Sequence, residues 1–233
     1  MTGLQVAVLA GGLATRLGEL TMQRPKSLVE VHGRPFIDYQ LERLRQAGIT
    51  DVVLCLGRFG EQIERHVGDG SNYGLRVRCS FETEPLGTAG ALQNARRLLN
   101  EAFFTLYGDS YLALDFRAVW DYFMSRRELA LMTVFANEDR FERSNTAVAG
   151  GFVTRYSKRD RTPDMKYIDY GVSLFRKPVL DLVPPGRFYS LEELFPRLIA
   201  ERQLLSFEVR QRFYQIGTPE GLEELRQHLG RAG

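Results

Sequence analysis

The stretch Leu9-Ala10-Gly11-Gly12-Leu13-Ala14-Thr15-Arg16-Leu17-Gly18, followed by Arg24-Pro25-Lys26, decides how the rest of the chain is read. The apolar run Val6 to Ala10 predicts a buried strand, and it ends in paired glycines with a hydroxyl and a guanidinium a few residues on. Glycine has no Cβ, so the backbone can close on an anion, and consecutive N–H groups at such a turn can point at phosphate oxygens. Arg16 and Lys26 add positive charge, the first as a bidentate fork and the second as a mobile point charge. A lone Gly-Gly would be no more than a flexible end to a strand; two cations in the same loop favour a phosphate grip. The spacing is neither that of a Walker loop, Gly-x-x-x-x-Gly-Lys then Ser or Thr, nor that of a dinucleotide fingerprint, Gly-x-Gly-x-x-Gly.

Length and composition set the bounds. With 233 residues the chain can form one large α/β domain or two small ones, and it is long enough to bury a substantial core. A hydrophobic content of 44% and a charged content of 26% are ordinary for a globular protein. The 31 basic and 29 acidic residues leave a formal charge of +2, which gives nucleic-acid binding no compositional support. Cys55 and Cys79 both sit in apolar, strand-like runs, so neither a disulfide framework nor a zinc site is expected. A strand begins by about residue 5, without a basic leader or a long apolar segment. No signal peptide or membrane span is therefore expected, and the cytoplasm is the default location.

Along the chain, strand-like and helix-like segments alternate. Apolar residues at helical spacing from Phe36 to Leu44, closed by Gly48, predict a helix, and Val52 to Leu56 a second buried strand. A short helix is expected over 60–67, a strand over Arg76 to Phe81, a helix from Thr88 to Leu99 and a strand over Phe103 to Tyr107. This rhythm predicts a mostly parallel sheet covered on both faces, with ligands beyond the carboxyl ends of its strands. Further on, a helix is expected over Phe116 to Met124, strands over Leu129 to Phe135 and Tyr167 to Phe175, and two short strands around Gly150-Gly151. Ser190 with Glu193 forms a capping box opening a helix to Glu201, and Pro219 opens a terminal helix. With no convincing linker, one domain over 1–233 is expected, residues 1–115 serving mainly one ligand and 116–233 another.

Two more motifs lie at strand ends. In Glu84-Pro85-Leu86-Gly87-Thr88-Ala89-Gly90 a turn leads into a helix with small side chains, where unpaired N–H groups would face outward. Close packing of a strand-to-helix loop explains the same residues equally well. Tyr107-Gly108-Asp109-Ser110 places an aspartate directly after a buried strand, where it could hold Mg²⁺ with phosphate and water or simply cap a turn.

Taken together, these motifs resemble the sugar 1-phosphate nucleotidylyltransferases, the nucleoside-diphosphate-sugar pyrophosphorylases. The pattern Leu-Ala-Gly-Gly-x-x-Thr-Arg-Leu followed by Pro-Lys is matched at Leu9 to Leu17 and Pro25-Lys26, and the resemblance extends over nearly the whole chain. It implies an α/β fold of the nucleotide-diphospho-sugar transferase type: a three-layer α/β/α, Rossmann-like domain around a mostly parallel mixed sheet. The 1–115 half would be mainly nucleotide-binding and the 116–233 half mainly sugar-phosphate-binding. The resemblance further implies that Leu9, Ala10, Gly11, Gly12, Thr15, Leu86, Gly87 and Thr88 contact the nucleotide, with Arg16, Lys26 and Asp109 as the catalytic groups. Asp109 of the Gly108-Asp109 pair would bind Mg²⁺.

The chain departs from the family's pattern at several places. The family's second metal ligand, an Asp shortly before a Gly near the C-terminus, is Gln215 here, a neutral amide that attracts a cation less; Asp169 is an alternative ligand. The family's Glu-Lys-Pro becomes Ser157-Lys158-Arg159, keeping the lysine that contacts the sugar phosphate, and its Asn-x-Gly becomes Asp169-Tyr170-Gly171. Gly108 and Asn145 are further sugar-side candidates. Where the family often has a base-reading Gln, this chain has Glu82. An ionised carboxylate accepts two donors and so suits guanine, which offers N1–H and an amino group together. The expected partners are GTP and a mannose- or heptose-type sugar 1-phosphate, with Mg²⁺ as cofactor and a homodimer as the assembly to test. Uridylyl or thymidylyl transfer to a hexose 1-phosphate is the alternative, and a non-catalytic nucleotide-sugar sensor or a plain nucleotide-binding module are the rivals outside catalysis.

Overall fold

The computed structural model describes residues 3–12 and 22–230; Arg16 and Thr15 lie outside them. In chain order the elements begin with β1 (Gln5–Leu9), β2 (Glu30–Val31), β3 (Arg34–Pro35), α1 (Phe36–Gln46), β4 (Asp51–Leu56), α2 (Gly60–Val67), β5 (Arg76–Phe81) and α3 (Gly87–Asn94). Then come β6 (Ala102–Tyr107), β7 (Ser110–Tyr111), α4 (Phe116–Met124), β8 (Ala130–Ala136), β9 (Thr146–Ala149), β10 (Phe152–Tyr156) and β11 (Tyr167–Arg176). The chain closes with α5 (Leu191–Ala200), β12 (Leu204–Val209), β13 (Tyr214–Gln215) and α6 (Pro219–Gly230). Among the described residues, no helix is long and apolar enough to cross a membrane.

Nine strands form one sheet in the order β5-β4-β1-β6-β11-β8-β12-β10-β9. Strands β5, β4, β1 and β6 run parallel, and in the chain β1 leads to β4 through α1, β4 to β5 through α2 and β5 to β6 through α3, as the strand-helix rhythm requires. From β11 onward the pairing is mixed: β11 is antiparallel to both β6 and β8, and β8 is parallel to β12. Parallel pairing is thus concentrated in the first half of the chain. In the second half, β9 and β10 meet at the Gly150-Gly151 turn, which needs no crossover helix.

Two cores sandwich the sheet. Val6 and Val8 of β1, with Val52, Leu54 and Leu56 of β4, join Ile37 and Leu41 of α1, Ile63 of α2 and Val119 of α4 on one face. Ala7, Val53 and Cys55 turn to the other face, against Ala89 and Leu92 of α3 and Leu194 and Phe195 of α5. Because β1 and β4 are buried on both sides, their sequences are continuous apolar runs rather than alternating ones. A third, smaller core holds α6 (Leu222, Leu225) against Val29, Val31 and Phe36. It anchors the C-terminal segment beside Lys26, so that a Cβ on Gly217 would stand 3.3 Å from Lys26 Nζ.

Besides the two-residue strands β2, β3, β7 and β13, which were not expected, two longer elements differ from expectation. The helix expected over 88–99 is α-helical only to Asn94 and finishes as a 3₁₀ turn, Arg96–Leu98. There Asn94 Nδ2 donates to Phe81 O at 2.9 Å, tying the end of the helix to the edge strand. Strand β12 was not expected, although its Leu204-Leu205-Ser206-Phe207-Glu208-Val209 is as apolar as the strands that were.

The capping box is present at α5: the Glu193 carboxylate accepts from both the N–H and the hydroxyl of Ser190, each at 2.8 Å. Ser190→Ala should lower stability by about 1 kcal/mol, read as a fall in the urea midpoint at constant m-value. An unchanged midpoint would show that the box does not hold the helix start.

Candidate functional site

The site is built where β1 stops between β4 and β6. Leu9 pairs with Cys55 on one side and Tyr107 on the other. Just beyond, Ala10 N donates to Cys55 O at 2.9 Å and Gly108 N to Leu9 O at 3.0 Å. The two loops approach so closely that a Cβ on Gly108 would lie 2.8 Å from Leu9 O. Glycine at 108 is therefore required for the Gly11-Gly12 turn and the Asp109 turn to stand side by side.

Two clefts open at this edge of the sheet. The first, of about 390 Å³, is lined by Leu9, Ala10, Gly11, Gly12, Lys26, Glu82, Gly87 and Thr88, with Cys55 and Phe188. The second, of about 460 Å³, is lined by Asn145, Lys158, Asp169, Gly171 and Gln215, with Phe141, Arg212 and Tyr214. Tyr107 and Asp109 line both. Gly108 faces the first cleft, not the second where it was expected, because its contact is with the end of β1. Leu86 lines neither; its N–H donates to Glu82 Oε2 at 3.2 Å, so it acts on the carboxylate. A larger open groove of about 950 Å³ beside α2 meets the first cleft at Glu82.

At the start of α3, close packing, one of the two readings its small residues allowed, accounts for part of the helix end. The N–H groups of Ala89 and Gly90 both donate to Tyr189 O, at 3.0 and 2.8 Å, and Tyr189 N donates to Leu86 O at 2.8 Å. Thr88 Oγ1 accepts from Leu191 N at 2.7 Å, so the helix start is bound to the segment before α5. Gly87 takes a φ of +72° in this junction, a left-handed conformation suited to glycine. That segment brings Phe188, 63% exposed, to the wall of the first cleft; no sequence motif marks it.

Charge in the site is arranged around Asp109. Lys26 Nζ lies 2.7 Å from Asp109 Oδ2. The Asp109 carbonyl accepts from Ile216 N at 2.9 Å, and Gln215 pairs with Ser110 across the β13–β7 ladder, so Gln215 is held next to the Asp109 turn. Its Oε1 accepts the N–H of Gly217, which folds the amide over its own turn. Among the described residues no group of three His, Cys, Asp or Glu could hold a metal ion. The available donors, the Asp109 carboxylate and the Gln215 amide, are hard oxygen ligands. They fit a cation that takes its remaining ligands from phosphate and water.

In the second cleft Asp169 is tied down on both oxygens, Oδ1 accepting Gly171 N at 3.0 Å and Oδ2 accepting the Tyr107 hydroxyl at 3.2 Å. Asn145 Oδ1 accepts the N–H of Asp169 at 3.0 Å and the Thr146 hydroxyl at 2.8 Å, so its carbonyl faces the protein. Burial pushes the Asp169 carboxyl above its usual range, and the Lys158 charge opposes that rise. Lys158 follows β10 on a turn shaped by Ser157, whose Oγ accepts the N–H groups of Arg159 and Asp160 at 3.2 and 2.8 Å. In the first cleft, burial raises the Cys55 thiol to about 12, which keeps it an inert apolar lining group.

Burial also raises the Glu82 carboxyl, while the Leu86 N–H works in the opposite direction. Its folded pKa therefore lies above its unfolded value, and the charged form is disfavoured in the fold. The wild type should lose stability as pH rises through the window between the two values, because the native state there binds more protons than the unfolded chain. Glu82→Gln should remove this slope, leaving the variant relatively more stable at neutral pH than at pH 4 in urea titrations; parallel pH profiles would contradict the assignment.

The profile of the nucleotidyl transferase family matches residues 5–231. Mannose-1-phosphate guanylyltransferase of Mycobacterium tuberculosis is 31% identical over 222 residues, covering 93% of this chain and 62% of that protein. Mannose-1-phosphate guanyltransferase of Saccharomyces cerevisiae is 31% identical over 221 residues, covering 91% and 61%. The chain thus spans about three-fifths of the length of these curated relatives. Among solved structures, HddC from Yersinia pseudotuberculosis complexed with GMP-PN matches with a TM-score of 0.81 and 25% identity, over 97% of this chain and 99% of that one.

Proposed function

The chain belongs to the nucleotidyl transferase family, and on that premise we propose that it joins a sugar 1-phosphate, of mannose or heptose type, to GTP, releasing pyrophosphate. The observation that carries this is the meeting of the two clefts at Tyr107 and Asp109. The first would take the nucleotide and the second the sugar phosphate, which assigns residues 1–115 mainly to the one and 116–233 mainly to the other. The named activities of the relatives and the GMP-PN held by HddC support the choice of substrates. Glu82 supports guanine: only one donor, Leu86 N–H, reaches its carboxylate among the described residues, leaving Oε1 at the first cleft for the N1–H and amino group of the base.

In this reaction a phosphate oxygen of the sugar 1-phosphate attacks the α-phosphorus of GTP. The bond from that phosphorus to the β-phosphate bridging oxygen breaks, its electron pair leaving with pyrophosphate. No bond to the protein is needed. Bringing two anions together makes catalysis a matter of positioning and charge neutralisation. Lys26 would turn from Asp109 to the α-phosphate, Arg16 would hold the leaving pyrophosphate, and Lys158 would anchor the sugar phosphate. Asp109, with Gln215 beside it, would hold Mg²⁺, which when bound with the triphosphate supplies further neutralisation of phosphate charge.

Crossing four nucleoside triphosphates with mannose, glucose and manno-heptose 1-phosphates in a pyrophosphate-release assay tests the proposal. GTP with one of the mannose-type sugars should react fastest; release with UTP or dTTP and glucose 1-phosphate alone would shift the substrate class. Nucleotide binding without release from any pair would favour a sensor, for which the neutral Gln215 is the specific support. Lys26→Ala should lower turnover at least about a hundredfold in a folded protein, by analogy with loss of one oxyanion-hole donor. Near-normal turnover would remove Lys26 from the reaction. Glu82→Gln should erode the preference for GTP over UTP, and an unchanged preference would exclude Glu82 from base recognition.

A further inference from the structure

We infer that Tyr107 is the positioning residue of the second cleft, its ring face seating the Lys158 ammonium and its hydroxyl fixing the Asp169 carboxylate, so that one side chain places both charged groups that meet the sugar 1-phosphate. The inference rests on the proposed function, since the ligand it concerns is that reaction's phosphate monoester. Tyr107 ends β6 in register with Leu9, and its carbonyl accepts Gln40 Nε2 at 3.1 Å, so its backbone is fixed in the sheet. Gly171 packs beside the ring at a φ of +99°, a left-handed conformation suited to glycine.

Lys158 is exposed on a turn, and among the described residues no carboxylate comes within ion-pair distance of it. A lysine in that setting samples many rotamers, and immobilising it on binding costs affinity. Its Nζ instead lies 5.7 Å from the centre of the Tyr107 ring, within the range of a cation–π attraction. The negative charge of Asp169 acts on the same ammonium. The Tyr107 hydroxyl donates to Asp169 Oδ2 at 3.2 Å, and burial with the neighbouring carboxylate keeps that phenol protonated, a permanent donor. Tyrosine alone supplies both contacts: phenylalanine keeps the ring and loses the donor, and leucine loses both.

A double-mutant cycle on the full chain separates positioning from bulk packing. The probe is mannose 1-phosphate, with affinity read by phosphorus NMR titration in the presence of an unreactive GTP analogue and KM read by pyrophosphate release with GTP. Tyr107→Leu should weaken mannose 1-phosphate about fivefold, in KM rather than kcat, with GTP affinity changed less than about twofold. Once Lys158→Ala is present, adding Tyr107→Leu should cost clearly less than it does in the wild type, because the ring acts through that lysine and only the Asp169 contact is left to lose. Tyr107→Phe, which preserves the ring and the packing but removes the donor to Asp169, should lose about twofold, between the wild type and Tyr107→Leu. Additive losses in the cycle, or equal weakening of GTP and mannose 1-phosphate, would overturn the inference and leave the transferase proposal standing. A wild type that binds GTP but no sugar 1-phosphate would overturn both.

Discussion

The site depends on one close approach of backbone to backbone. Gly108 N donates to Leu9 O at 3.0 Å, and no side chain on residue 108 could be accommodated there. This contact brings two loops from strands about a hundred residues apart in sequence onto one edge of the sheet. The parallel register of β1 with β6 fixes their direction, and the two apolar cores hold that register against slippage. Everything chemical follows from the juxtaposition: the glycine turn opens one cleft, the Asp109 turn borders both, and the second half of the sheet carries the other wall.

Electrostatically, the resting arrangement is self-neutralised. Lys26 sits on Asp109, and the acid's turn is pinned to the C-terminal segment through Ile216 and Gln215. With a neutral amide at 215, the Asp109 turn carries a single negative charge, already matched by the lysine. In the proposed reaction the incoming triphosphate would compete for that lysine and bring much of the charge needed to hold a cation. A site of this kind depends on its substrate for its final charge distribution.

Much of the architecture was legible in the sequence. Helices α2 and α4 and strand β5 fall where periodicity places them, because each carries its apolar residues at a spacing that fits one period alone. The glycine turn, Lys26, Glu82 and Asp109, singled out from local motifs and the family they resemble, all line the first cleft. Strand β12 went unread because nothing in its own sequence says which strand it joins; its partner β8 lies roughly seventy residues earlier. The start of α3, for which the sequence left an open anion site and close packing equally possible, could not be decided for the same reason. The N–H groups of Ala89 and Gly90 are taken by Tyr189, a residue about a hundred positions away that no local pattern connects to them. Phe188 and Tyr107 were missed as site residues because an aromatic beside a cleft and one inside a core are identical in sequence.

The two clefts, joined at Tyr107 and Asp109, would bring a nucleotide and a sugar phosphate together at one edge of the sheet. A crystal structure with an unreactive GTP analogue and mannose 1-phosphate bound together tests this most directly. The nucleotide should lie over Gly11-Gly12 with its base at Glu82, the sugar phosphate at Lys158, and the α-phosphorus facing the sugar phosphate beside Asp109. A nucleotide seated in the groove along α2, or a sugar phosphate bound away from Lys158 and Asp169, would contradict it.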